Sequence, residues 1–172
     1  MPSPPRAKTL KAYGVGFTLK RLSVQTPVTL VQNTEELIRR VSADSTRGDG
    51  KLTSTAFNDP NRQPSVDRRS LRASLDECKV KSTDGLVRLV ADEIRKLQIA
   101  QIDAATREPA GTNYQIDVMH RPIDLGNDRG EPPNPAHSQI EATPALNRSR
   151  FDKLKELLAR LAEKNGWLVQ PT

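Results

Sequence analysis

The C-terminal segment carries the pattern that most constrains this chain. Phe151, Leu154, Leu157, Leu158 and Leu161 recur at helical spacing and make one apolar stripe. Ser149 stands where an N-cap belongs, and Asp152, three residues on, is the acid of a capping box. Glu156 and Arg160 form an i,i+4 pair in the favourable order. Asn165-Gly166 supplies a left-handed stop. Trp167 and Leu168 follow where a hydrophobic residue folds back on the last turn, with a short final strand over 167–169 as an alternative. Most helical stability in proteins comes from burying such a stripe. The rest of the chain must therefore present an apolar face to this helix.

What precedes the helix reads as short runs separated by Asn/Asp/Gly/Pro loops. Gly85–Ala91 is a strand, and Asp92 caps a short helix over 93–97. Ile99–Ala104, Asn113–Ile123 and Ala136–Ala142 are further strands. In the second of these, Tyr114, Ile116, Val118 and His120 share one face by alternation. Leu52–Phe57 reads as a short strand, and Ser65–Leu71 as a short strand or a helical turn. Asn33–Val41 reads as a helix. Asn33 caps it, Glu36 completes a capping box, Leu37, Ile38 and Val41 share a face, and Arg39 and Arg40 suit its C-terminal end.

These elements predict an α+β fold: a small mixed or antiparallel sheet of short strands packed against the amphipathic C-terminal helix. At 172 residues the chain has the length of one domain. Residues 13–172 are expected to form it, with one or two weak strands within 13–29. Residues 1–12 are expected to be a disordered, flexible basic tail, because Pro2, Pro4 and Pro5 deny it helix and ladder. The core should be modest, since 35% of the residues are hydrophobic and 3% aromatic.

Several function classes are disfavoured. The sole cysteine, Cys78, cannot make an intrachain disulfide. With two histidines beside it, it falls short of a soft-ligand zinc site, and Asp117, Asp124 and Asp128 fit no cation-loop spacing, so no metal is expected. There is no phosphate-cradling glycine loop, and no cofactor is expected. An apolar leader and a bilayer-length run are both missing from the sequence, so the expectation is a cytoplasmic protein without membrane contact. The net charge of +6 is loaded at the ends: +5 over 1–40, −2 over 41–146 and +3 over 147–172. Nucleic-acid binding through those ends is expected to be weak, because aromatic residues for base stacking are scarce.

Three polar segments hold the candidate chemistry. His137 follows Asn134-Pro135, which imposes an extended approach to its strand. It is a candidate general acid or base, or a strand residue bonding a neighbour. Asp67 and Arg68 either flank an anionic ligand or pin a polar loop. Ser65 and Ser138 are possible nucleophiles without a nucleophile elbow around them. If strands 113–123 and 136–142 pair, His120, Arg121 and His137 line one cleft of a kind suited to phosphodiester or ribosyl chemistry.

The order Leu37-Ile38-Arg39-Arg40, Thr55-Ala56-Phe57, Ser65-Val66-Asp67-Arg68, Asn134-Pro135-Ala136-His137 and a terminal helix ending at Trp167 resembles a family of small uncharacterised bacterial proteins. The resemblance spans roughly residues 36–170, with 98–132 longer than in the family pattern. It implies a bacterial cytosolic context and no catalytic role. The leading expectation is an accessory protein that binds another macromolecule, most simply a protein, with Ser65, Asp67, Arg68 and Asn134 as a ligand-holding or structural cluster. The alternative is a small enzyme, a nuclease or ADP-ribosyl-type transferase, using His137 and His120 with Arg68 and Arg121.

Overall fold

Leu37 and Ile38 are neighbours in sequence, both are fully buried, and they point to opposite sides of a sheet. That is possible only in a central strand covered on both faces. Strand β1 (Glu36–Val41) is that strand. It pairs antiparallel with β2 (Ser65–Arg68) on one side and β3 (Gly85–Val90) on the other. The expectation of a helix over Asn33–Val41 is therefore wrong. An i, i+1, i+4 apolar set fits a helix face, but it equally fits a strand buried on both sides, and the two ladders decide between them. Asn33 caps nothing; its side chain accepts from Arg95 Nη1 and its carbonyl from the Asp92 amide.

The computed structural model describes residues 30–128 and 130–172. The tail expected at 1–12 and the strands expected within 13–29 lie outside the described residues. Beyond β2 the sheet continues with β7 (His137–Thr143) and β6 (Gln115–His120), and β8 (Trp167–Val169) closes the other flank. The order is β6-β7-β2-β1-β3-β8, and every ladder is antiparallel. A separate hairpin joins β4 (Ala100–Ile102) to β5 (Pro109–Asn113). The exposed, polar β5 gave no sequence signal. Leu52–Phe57 is not a strand: Leu52 makes a single bridge to Thr46, and Ser54–Phe57 is a 3₁₀ turn.

Helix α1 (Ala91–Arg95) continues β3 directly, yet it packs on β6, with Arg95 Nε bonded to Asp117 at 2.7 Å. Since β1, β2 and β7 lie between those strands in the order, the sheet must curl to bring its flanks together. Helix α2 (Arg148–Asn165) fills the concave side. Phe151, Leu154 and Leu158 are buried against Leu37, Leu89 and Phe57 in the main core. The N-cap is Asn147, not Ser149: Asn147 Oδ1 accepts the Arg150 amide at 3.0 Å, and the Ser149 hydroxyl bonds the same oxygen. Glu156 pairs with Lys153. The stop is as expected, with Gly166 at φ +80° and its amide bonded to the Ala162 carbonyl. Trp167 begins the short final strand and packs against the main core. It pairs with Val87, and a Cβ at Gly85 would come within 2.7 Å of its ring and of Pro171. Ile38, Leu86 and Cys78 form a smaller core on the convex face.

Candidate functional site

The alternation of β2 and β7 sorts the candidate residues onto two faces. Asp67 stands directly opposite His137 in the ladder, and Val66 opposite Ser138. Val66, Arg68, Ser138 and Ile140 therefore point toward α2 and are buried. Ser65, Asp67 and His137 point the other way, into a groove of about 480 Å³ that Asn134, Arg72 and Ile38 also line. The segments named from sequence do meet, but Arg68 and His120 are not part of the meeting.

Arg68 lies under the sheet and clamps Glu35, with Nε to Oε1 at 2.7 Å and Nη2 to Oε2 at 2.8 Å. The Ser70 hydroxyl adds a third bond to Glu35, at 2.6 Å. Burial pushes the Glu35 carboxyl up, and the bonds from Arg68 and Ser70 outweigh it, leaving the group below the usual carboxylate range. His120 pairs with Ser138 in the β6–β7 ladder and shares that inner face. Burial, then the nearby Arg68 charge, pushes the His120 imidazole down toward its neutral form. Among the described residues, neither ring nitrogen of His120 nor the Ser138 hydroxyl has a hydrogen-bond partner. The expected cleft forms only in part: Arg121 and His137 line a second groove, and His120 is not in it. The strands pair, but the register turns His120 away from His137. The Arg121 side chain bonds Glu141 at 2.9 Å on the outer face.

In the groove, Asp67 is held at both oxygens. Asn134 Nδ2 donates to Oδ1 at 2.9 Å, while Arg72 Nε and Nη2 donate to Oδ2 at 3.1 and 2.6 Å. Asn134 Oδ1 in turn accepts the Ala136 amide at 3.0 Å, which sets the Asn-Pro turn leading into β7. Arg39 fixes the start of β2: its Nη1 donates to the Ser65 carbonyl at 2.6 Å and its Nε to the Ala56 carbonyl at 2.8 Å. Burial lowers this guanidinium to about 10, which still leaves it charged at neutral pH.

His137 is oriented from both ends. Its Nδ1 lies 2.6 Å from the Arg121 carbonyl, which can only accept, so Nδ1 carries the hydrogen. In the neutral ring Nε2 then holds the lone pair, and it accepts from the Ser65 hydroxyl at 3.1 Å. Cys78 borders the groove but is unsuited to nucleophilic work. Burial, reinforced by the Asp67 charge, raises its thiol to about 11. Arg72 gave no sequence signal, and Arg39 was expected only as a cation at a helix end. Their roles depend on contacts across 5 and 26 residues that no local pattern announces.

No family model, no curated protein and no solved structure matches this chain. Among the described residues no cluster of His, Cys, Asp and Glu has the makings of a metal site, and no helix is long and apolar enough to cross a membrane.

Asp67 and Asn134 form one network, and their removal should be non-additive. Asp67→Ala and Asn134→Ala are each expected to destabilise the fold. The double variant should depart from the sum by about 0.5–3 kcal/mol. Urea denaturation of the three variants measures this. Strict additivity would mean that the contact carries no coupling.

Proposed function

We propose that the protein works by binding, as an accessory protein whose groove seats an acidic side chain presented by a protein partner. The observation that carries this reading is the groove's charge arrangement. Asp67 is already bonded at both oxygens by Asn134 and Arg72, while Arg40 and Lys79 share walls that also carry Glu77 and Glu131, with Arg40 3.9 Å from Asp84 and Lys79 3.4 Å from Asp76. Arg72 Nη1 has no hydrogen-bond partner among the described residues. An acidic group entering here meets donors that the fold has already positioned, so little ordering is required on binding. A cytoplasmic location accords with a single buried cysteine.

A protein partner is favoured over nucleic acid. Several cations of the basic C-terminal segment are taken up: Lys164 by Glu93, Lys153 by Glu156 and Lys155 by Asp152. That takes up three of the six cations of this segment and so halves the charge it can turn to a phosphate backbone.

Titration with a capped oligoglutamate peptide, followed by amide NMR shifts, tests the reading. Shifts are expected to cluster on Ser65, Asp67, Arg72, Lys79 and Asn134. Arg40→Gln and Lys79→Gln should each weaken binding several-fold, and the pair about tenfold or more. Shifts spread over α2 instead, or affinity untouched by both substitutions, would exclude the groove as the binding site.

A further inference from the structure

We propose that Ser65 is a nucleophile activated by His137, and that the groove hydrolyses small carboxylic esters bearing an anionic group. The catalytic step rests on the Ser65–His137–Arg121 alignment; only its preference for an anionic substrate shares Arg40 and Lys79 with the binding reading.

Three features of this alignment belong to nucleophilic catalysis. The first is the pair itself, with Ser65 Oγ 3.1 Å from His137 Nε2, within reach for proton transfer. The second is the tautomer. The Arg121 carbonyl at 2.6 Å holds the hydrogen on Nδ1 and so keeps a lone pair aimed at Ser65. In serine hydrolases a third group orients the base in this way, and here a backbone carbonyl occupies that position. The third is rigidity at the nucleophile. Ser65 opens β2, its carbonyl is held by Arg39 at 2.6 Å, and its ladder partner is Gln139. Both the serine and the histidine line the groove, so a substrate reaches them.

The alternatives within the groove are weaker. Asp67 is saturated by its own scaffold, and Cys78 is nearly buried with its thiol held protonated. The other serine–histidine neighbours, Ser138 and His120, sit beneath the sheet and are sealed from solvent. The groove's volume suits a small ligand. Arg40, Arg72 and Lys79 stand on its walls beside Asp67, Glu77 and Glu131, so an anionic group on the substrate has cations to pair with when it displaces those carboxylates.

The step balances without a cofactor. Ser65 Oγ bonds to the ester carbon as its proton passes to His137 Nε2, and the carbonyl π pair moves onto oxygen. Collapse breaks the bond to the alcohol oxygen, which leaves with the proton from Nε2. Water then adds to the acyl carbon and gives a proton to Nε2. The second collapse frees the carboxylic acid and returns that proton to Ser65.

The full chain should be treated with a fluorophosphonate and, separately, with the mono-p-nitrophenyl ester of succinic acid. The expected result is a single adduct on Ser65, found by peptide mass, and steady release of p-nitrophenol. Ser65→Ala should abolish both, with an unchanged circular dichroism spectrum. His137→Gln should slow both by about 10²-fold or more. Neutral p-nitrophenyl butyrate should turn over more slowly than the succinate ester. The wild-type protein decides the matter even if His137→Gln fails to fold. Absence of a Ser65 adduct under conditions that label a serine-hydrolase control overturns the proposal. So does an adduct elsewhere in the chain, or labelling that folded His137→Gln leaves unchanged.

Discussion

Arg68→Ala is expected to cost the fold about 3–5 kcal/mol, because it strands the Glu35 carboxylate under the sheet. The two side chains are 8% and 7% exposed and share two parallel bonds. A pair of this kind adds little net stability over an apolar replacement, yet breaking it leaves a buried charge without compensation. Its second signature is in pH. The Glu35 carboxyl sits below its ordinary value of 4.5 in the folded protein. A depressed carboxylate contributes stability that is fully present above the unfolded-state value and is lost as pH falls through the folded one. The wild-type protein should therefore lose stability on acidification below about 4.5, and Glu35→Gln should flatten part of that limb. Urea midpoints measured from neutral to acid pH check both statements. An Arg68→Ala midpoint equal to wild type would mean that Glu35 finds another partner or reaches water. An acid limb unchanged in Glu35→Gln would mean that other carboxylates cause it.

Leu158→Ala is expected to cost about 2–5 kcal/mol. Leu158 is fully buried and belongs to the main core together with Leu37, Leu89 and Phe57. For a chain of this size each kcal/mol lowers the melting temperature by roughly 2–4 °C, so the midpoint should fall by roughly 4–20 °C. Leu157, on the same helix but only partly buried, should cost clearly less when truncated. Scanning calorimetry on the two variants separates them. Equal effects, or none, would contradict the docking of α2 through the Leu154–Leu158 face.

The two substitutions probe parts of the molecule that were unequally legible in the sequence. The α2 stripe was readable because a helix writes its packing face locally, three and four residues apart. The strands β6 and β7 were readable for the matching reason: Ile116, Val118 and His120 alternate and are buried, and Ser138 and Ile140 do the same. The first strand was misread because Leu37 and Ile38 are both buried, so alternation was erased where the sheet is covered on both sides.

The candidate site divides in the same way. The sequence was enough to mark out SVDR and NPAH as unusually polar strand segments. It had no means of choosing the face for each side chain, because a one-residue slip in register would exchange them all. Only the pairing of Asp67 with His137 puts Ser65, Asp67 and His137 in the groove and turns Arg68 beneath the sheet. The same register sets His120 against Ser138 rather than beside His137. The tautomer of His137 was further from reach, since it depends on the Arg121 carbonyl 16 residues away. Local periodicity thus determined which elements form and where α2 must pack. The choice of residues sharing the groove belonged to long-range strand register, which depends on burial summed over the whole sheet.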